Sequence, residues 1–184
     1  MALPRYHPVS IALHWIIVVL VLAQLALGWW MIEIPKNPPG PRAWWFNVHK
    51  SIGLTIGVLM LARLGWRLGH PAPPLPAPMA SWQKNAAHTS HFLLYACVIL
   101  QPLWGYLGSS FTRYPIKYFG VSLPHWGWDS PALKEVFGAL HLGTAWLLMA
   151  VLAVHVAAAL KHLVVDRDGV FERMWPWSRT EGPA

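Results

Sequence analysis

The sequence predicts an all-α integral membrane protein, a four-helix bundle that forms a single domain over residues 1–184. Two observations predict this class. Hydrophobic residues make up 55% of the chain and charged residues only 11%, whereas soluble domains carry about 25% charged residues. Four apolar stretches are each long enough to cross a bilayer. The composition excludes a disordered chain and a disulfide scaffold, and it argues against a soluble enzyme. The net charge of +7 is better explained by membrane residence than by binding to nucleic acid, which we do not expect as a partner.

The first span is predicted over residues 10–32, where the strongly polar members are His14 and Gln24. The main alternative for an apolar segment this close to the start is a signal peptide. The run is too long for the apolar core of such a peptide, and the single Arg5 makes a weak basic region before it. We therefore expect a membrane helix, followed by the proline-rich turn IPKNPPGPR.

The second span is predicted over residues 47–68 and ends in Arg63 and Arg67, whose long side chains can reach a membrane interface. The connector HPAPPLPAP has little capacity to form a helix. The third span is predicted over residues 88–109, with a kink expected at Pro102 because proline removes a helical hydrogen bond.

The fourth span is predicted over residues 134–162, which is longer than a bilayer requires. The polar and aromatic segment 110–133 is too short to form its own core. We expect this segment to act as a lid over the outer ends of the helices. The charged tail after residue 164 is expected at the membrane surface.

Lysine and arginine counts predict the orientation. If the N-terminus is cytoplasmic, that side carries eight such residues, the last of them Arg179, and the opposite side carries six. The bias favours a multi-pass protein of the bacterial inner membrane with both termini in the cytoplasm. Tryptophans at the span ends support these limits as interfacial belts in contact with lipid; they are Trp29, Trp30, Trp44, Trp45, Trp126, Trp128, Trp175 and Trp177.

Histidines are the main functional signal, because ionisable residues inside a membrane span are costly and usually functional. His141 and His155 are 14 residues apart, which is close to four helical turns and about 21 Å along the axis. They therefore share one face of the fourth helix, with one near each side of a hydrocarbon core about 30 Å thick.

The up-and-down topology predicts the partners of these two histidines. The second span starts on the side where the fourth starts, so His49 is expected at the depth of His141, at the outer level. The first span starts where the fourth ends, so His14 is expected at the depth of His155, at the inner level. His88 and His91 open the third span at that inner depth, and either could replace His14 as a ligand.

Glycines near the histidines have two interpretations. Gly53 and Gly57 lie one turn apart in the second span, just past His49. They either allow the edge of a flat macrocycle to approach the backbone or mediate ordinary helix packing of the GxxxG type.

The residue types indicate which metal such histidine pairs would hold. Zinc and other transition-metal sites usually mix histidine with carboxylates or thiolates, and the spans offer almost no carboxylates away from their ends. Histidine pairs on opposite helices suit a six-coordinate haem iron, whose porphyrin supplies the other four ligands. Cys97 is the single cysteine and a C-x-x-C-H motif is lacking, so covalent c-type attachment is excluded. Ligation by two histidines favours electron transfer over oxygen binding.

The chain resembles the bacterial cytochrome b561 family, which is related to the b-type cytochrome subunits of nickel hydrogenases. The resemblance rests on four segments: HPVSIALHWIIVVLVLAQ, NVHKSIGLTIGVLMLARLGWRL, AAHTSHFLLY and LAVHVAAALKHLVVDRDGVFERMWP. It implies a four-helix membrane cytochrome with two non-covalent haems b, one ligated by His14 and His155 and the other by His49 and His141. It also implies a quinone as electron partner, because one family member resembles a superoxide oxidase that passes electrons to ubiquinone.

Three functions of different classes follow as hypotheses. The first is a respiratory electron carrier that exchanges electrons with quinone and oxidises superoxide. The second is a cytochrome subunit that anchors a separate dehydrogenase or hydrogenase, and the third is a haem-free metal transporter or structural bundle. Lys161 and His162 could line a quinone pocket. Basic outer residues could attract an anionic donor or be plain solvated charges; they are Lys36, Arg42, Lys50, Arg113 and Lys117.

Overall fold

The computed structural model describes residues 4–36, 40–76 and 79–177, so Arg179 lies outside the described residues. Four long helices dominate it. Their bounds, with those of two short strands and a terminal turn of π-helix, are α1 Pro8–Glu33, α2 Pro41–Gly69, α3 Ser81–Ser110, β1 Ile116–Tyr118, β2 Val121–Leu123, α4 Pro131–Lys161 and the turn His162–Asp166. The four-helix membrane bundle predicted from the sequence is confirmed, since all four helices are long and apolar enough to cross a bilayer.

The helices begin earlier than the hydropathy pattern predicts. Proline occupies the first turn of α1, α2 and α4, where its missing N–H costs no hydrogen bond. The helix α2 begins at Pro41, six residues before the predicted span, and α3 begins at Ser81, seven residues before it. Hydropathy indicates only the apolar part of each helix. The helical backbone begins earlier, in a first turn that contains polar and aromatic residues.

The helices pack in chain order. The helix α1 packs against α2, α2 against α3, and α3 against α4. Within the described residues, no Cα atom of α1 lies within 8 Å of a Cα atom of α4, so the first and last helices stand apart. We call the end of the bundle with both chain termini the inner end and the opposite end the outer end, following the predicted orientation.

A β-hairpin within the segment 110–133 packs against α2 and α3, and a lid over the outer helix ends stays a prediction. The strands Ile116–Tyr118 and Val121–Leu123 pair antiparallel across Phe119 and Gly120, both of which have positive φ angles of 44° and 95°. Such a two-residue turn matches the twist of the paired strands. The side chain of Ile116 is 1% exposed, so the hairpin is anchored in the protein rather than free above it.

The buried hydroxyl of Ser51 on α2 ties the hairpin to the bundle. It accepts a hydrogen bond from the Phe119 N–H at 2.9 Å. Its own proton is directed to the carbonyl oxygens of Asn47, at 2.8 Å, and Lys117, at 3.3 Å. Because Ser51 follows His49 by two residues on α2, these bonds fix the hairpin beside the outer histidine level.

Replacing Ser51 by alanine is expected to loosen the hairpin. The partly buried Phe119 N–H would lose its acceptor, which costs about 0.5–1.5 kcal/mol of stability. Amide hydrogen exchange followed by mass spectrometry should then show faster exchange in residues 114–123, with a lower melting temperature. The matched control is the exposed Ser122, whose replacement by alanine should change neither quantity. Unchanged exchange in the Ser51→Ala variant would contradict this role.

Candidate functional site

The outer level of the bundle brings the imidazole rings of His49 on α2 and His141 on α4 close together. Their ring centroids lie 6.3 Å apart and their planes make an angle of 72°. The Nδ1 atom of His141 lies 3.0 Å from the carbonyl oxygen of Gln101. If Nδ1 donates this bond, its proton leaves the Nε2 nitrogen free as a ligand, an arrangement that is usual for metal-binding histidines.

Two glycines hold these rings in place, and the sequence did not single them out for this role. A Cβ atom at Gly28 on α1 would lie 3.2 Å from Cε1 of His49. A Cβ atom at Gly105 on α3 would lie 3.3 Å from both Cε1 and Nδ1 of His141. The backbones of α1 and α3 therefore form the surfaces against which the two imidazoles rest.

The inner level brings together three histidines. The rings of His14 on α1 and His155 on α4 lie 6.5 Å apart at 74°. The ring of His91 on α3 lies 5.3 Å from that of His155 at 68°. His88 is exposed one turn earlier on α3. The structure thus places His91, and not His88, beside the predicted ligand pair.

The ring separations fit one metal ion between two imidazoles at each level. A first-row metal ion lies about 2 Å from each ligating nitrogen, and each ring centre lies about 1.1 Å behind its nitrogen, so the centres stand about 6.3 Å apart when the ion lies in line between the two rings. The observed separations are 6.3 Å for His49 with His141 and 6.5 Å for His14 with His155. The 5.3 Å between His91 and His155 is about 1 Å too short for this arrangement.

Every helix repeats the same spacing between the two levels. A separation of 14 residues corresponds to about 21 Å along a helix, or close to four turns. The pairs of inner-level and outer-level residues are His14 and Gly28 on α1, Arg63 and His49 on α2, His91 and Gly105 on α3, and His155 and His141 on α4. Counting 14 residues from each histidine would have identified both ring-supporting glycines and Arg63 from the sequence.

The glycines predicted at the macrocycle edge lie against other residues. A Cβ atom at Gly53 would lie 3.2 Å from Nε2 of Gln24, which donates a 2.7 Å hydrogen bond to the carbonyl of His49. A Cβ atom at Gly57 would lie 2.9 Å from Cγ of Pro102. Both contacts agree with ordinary helix packing, the second of the two interpretations of Gly53 and Gly57 in the sequence. A contact of these glycines with a macrocycle stays a prediction. The kink at Pro102 also stays a prediction.

The helices that carry each histidine pair do not pack directly against each other. His14 and His155 lie on α1 and α4, which have no Cα atoms within 8 Å of each other in the described chain. The same holds for α2 and α4, which carry His49 and His141. Between the levels an apolar core closes the bundle, with Leu148 midway between His141 and His155. Its buried members are Ile17, Val21, Ile56, Met60, Cys97, Val98 and Leu148.

The proposed quinone-pocket residues at the end of α4 take part in ion pairs. Lys161 binds Asp166, with 2.5 Å between Nζ and Oδ2. The Nδ1 atom of His162 lies 2.8 Å from Oδ2 of Asp168. These contacts close the π-helical turn, and a quinone pocket there stays a prediction.

Comparisons with known proteins agree over nearly the whole chain. A family model described as prokaryotic cytochrome b561 matches residues 5–177. The chain is 33% identical over 177 residues to cytochrome b561 homolog 2 of Escherichia coli strain K12, covering 92% of this chain and 90% of that protein. It is 31% identical over 184 residues to the probable superoxide oxidase CybB of Yersinia pestis, covering 95% and 98%. Cytochrome b561 homolog 1 of Escherichia coli strain K12 is 25% identical over 177 residues, covering 94% and 97%.

Proposed function

The chain belongs to the prokaryotic cytochrome b561 family, and on this premise we propose that it is a dihaem electron carrier that spans the bacterial inner membrane. One haem b would be held by His14 and His155 at the inner level and the other by His49 and His141 at the outer level. Membership in a family of membrane b-type cytochromes favours haem over the haem-free transporter. Each haem, when bound, supplies a one-electron couple of iron.

The observation that carries this proposal is the pair of ring separations, 6.5 Å at the inner level and 6.3 Å at the outer level. The helix α4 supplies one ligand to each level, so its rigidity fixes the two sites about 21 Å apart along its axis. Ligation by two histidines leaves no open iron position, which suits electron transfer. The orientation with both termini in the cytoplasm, supported by the lysine and arginine counts, would make the hairpin end face the periplasm.

We propose superoxide as the electron donor at the outer end and quinone as the acceptor. A relative over nearly its full length is named a probable superoxide oxidase. In the overall reaction two superoxide anions each lose one electron and become two O2 molecules. One quinone gains those two electrons and two protons and becomes quinol. This would place the protein in respiratory electron transport.

Two of the basic outer residues are positioned to attract an anionic donor. Lys50 follows the proposed ligand His49 directly, and the Lys117 carbonyl lies 3.3 Å from the Ser51 hydroxyl, so both half-buried lysines lie on segments beside the outer level. In contrast, Arg42 donates to the carbonyl of Ile32 at 2.9 Å. Arg113 forms an ion pair with Asp129 and is exposed.

Stopped-flow spectroscopy tests the proposed function. Superoxide mixed with the oxidised protein should produce the reduced b-type α band, and added ubiquinone should then remove it. Superoxide dismutase is the control and should abolish the signal. If superoxide leaves the band unchanged, the superoxide assignment fails. A co-purifying dehydrogenase or hydrogenase that reduces the protein would then favour the anchor-subunit hypothesis.

Replacing both Lys50 and Lys117 by glutamine should slow reduction by superoxide. Local positive charge raises the encounter rate with an anion, and its loss should lower the second-order rate constant about tenfold at low salt. The difference should shrink as ionic strength rises. Lys134→Gln, which removes an exposed charge from the start of α4, is the matched control and should leave the rate nearly unchanged. Equal rates for all three proteins at low salt would refute the steering role.

A further inference from the structure

Arg63 is a buried cation at the inner histidine level. Its side chain is 9% exposed, and it lies on α2 fourteen residues after His49. Its Nη1 atom donates a 2.5 Å hydrogen bond to the carbonyl of Ser10 on α1, and its Cζ atom lies 6.0 Å from the ring centre of Tyr95 on α3. Arginine keeps its charge in proteins, so this position holds a permanent positive charge inside the bundle.

Within the described residues, no carboxylate belongs to a helix turn at the depth of this charge. The acidic residues belong to the two ends: Glu33, Asp129 and Glu135 at the outer end, Asp166, Asp168 and Glu172 after α4, and Glu181 beyond the described residues. The first acid after His155 on α4 comes eleven residues later. A charge removed from water favours a compensating anion nearby, and the acidic residues of the described part of the chain belong to the two ends of the bundle.

Further positive charge lies on the inner side of Arg63. Arg67, one turn later on α2, lies with its Cζ atom 6.0 Å from the ring centre of Tyr6. Arg173 of the tail is 3% exposed and approaches the same ring at 5.4 Å. Its Nη2 atom is buried without a hydrogen-bond partner. The inner end therefore concentrates positive charge around Tyr6, on the side of Arg63 away from the outer level.

The position of Arg63 selects the source of that anion. Arg5 donates to the carbonyls of Trp175 and Pro176, and Arg173 donates to the carbonyl of Pro4, so these two segments meet at the inner end. Arg63 donates to the carbonyl of Ser10 on α1, further into the bundle, whereas phospholipid phosphates lie outside the hydrocarbon core. A porphyrin between His14 and His155 would lie at the depth of Arg63, and haem b carries two propionate carboxylates.

We propose that Arg63, with Arg67 one turn further toward the inner end, binds the propionate carboxylates of the inner haem. This inference rests on the proposed function. Guanidinium and carboxylate form strong paired hydrogen bonds, and a fixed positive charge beside the site favours the reduced, less positive iron. The inner site should therefore have a higher reduction potential with Arg63 than without it.

Optical redox titration of the purified holoprotein tests the role of Arg63. In Arg63→Gln, the ratio of reduced to oxidised inner haem at a fixed potential should fall about tenfold, a downward shift of about 59 mV for one electron, and the outer haem should not change. The inner potential is identified as the one missing from His155→Ala. Arg63→Lys should restore most of the shift, and Arg113→Gln, which removes an exposed outer charge, should leave both potentials unchanged.

Resonance Raman spectroscopy distinguishes a direct hydrogen bond between Arg63 and a haem propionate from a purely electrostatic effect of Arg63 on the iron. The propionate bending band should shift in Arg63→Gln, because a hydrogen-bond donor is lost, and should stay in place in Arg113→Gln. A shifted potential with an unchanged propionate band would overturn binding, as would unchanged potentials. If Arg63→Gln does not retain haem, Arg67→Gln is titrated instead and should shift the same potential in the same direction.

A phosphorus assay of the purified protein tests the alternative that Arg63 and Arg67 bind a phospholipid phosphate. Loss of bound phospholipid from Arg63→Gln and Arg67→Gln, without a change of potential, would assign the anion to a lipid and overturn the proposal. A wild-type protein that contains no haem would instead overturn the proposed function, so the two failures are distinguishable.

Discussion

Replacing His155 by alanine is expected to lower the haem content from about two per chain to about one. The imidazole of His155 faces that of His14 at 6.5 Å, and alanine leaves one side of the inner site without a ligand. The outer pair lies about 21 Å away along α4, so its haem should remain. The pyridine haemochrome absorbance, divided by the protein concentration from amino-acid analysis, measures this ratio directly.

The third inner histidine provides the matched control. Its ring lies 5.3 Å from that of His155, about 1 Å less than two imidazoles in line on either side of one ion require, so His91→Ala should keep both haems. If His155→Ala kept both haems, the ligand assignment at the inner level would be wrong. If His91→Ala lost one haem and His14→Ala lost none, His91 would replace His14 as the ligand, which is the alternative that the sequence left open.

Replacing Gly105 by valine is expected to remove the outer haem and keep the inner one. A Cβ atom at this position already lies 3.3 Å from Cε1 and Nδ1 of His141, which is tighter than nearly all real Cβ contacts. The two additional methyl groups of valine must therefore push the imidazole out of line with His49. Overpacking of this kind costs about 1–3 kcal/mol even where the side chain can move, and a displaced ligand loses its metal.

Gly65 on α2 serves as the control for this prediction, since a Cβ atom there would meet nothing within 4 Å. Gly65→Val should keep both haems. Haem content and the amplitudes of the two steps in a redox titration distinguish the sites, because Gly105→Val and His155→Ala should each retain a different step. Loss of the same step in both variants would contradict the separation of the two levels.

The sequence predicts the helices and the histidine pairing because both follow from long-range regularities. Apolar runs of about 20 residues mark membrane helices, and the 14-residue interval between His141 and His155 fixes two levels on one rigid helix. The up-and-down topology then places His49 at the level of His141 and His14 at the level of His155. The structure brings both pairs together, although ligation itself stays a prediction.

The residues that contact or surround the histidines are harder to identify from the sequence. Glycines at several helix positions have similar local sequences, and only the rotation of α1 and α3 determines that Gly28 and Gly105 touch the rings while Gly57 touches Pro102. Arg63 has the appearance of an interfacial residue in the sequence, yet it is buried and contacts Ser10 on α1 and Tyr95 on α3.

The outer hairpin is a similar case. Each of its strands has three residues, Ile116–Tyr118 and Val121–Leu123, which is too short for a hydropathy pattern to indicate. The dipeptide Phe119-Gly120 was the available signal, because glycine favours the positive φ that a two-residue hairpin turn requires.

The number of haems in the wild-type protein tests the central claim most directly. Protohaem is extracted from the purified, detergent-solubilised chain and quantified against the polypeptide. Two histidine pairs at two levels predict about two haems b per chain, both low-spin in the electron paramagnetic resonance spectrum of the oxidised protein. A value of one or none, or a high-spin iron, would contradict the claim.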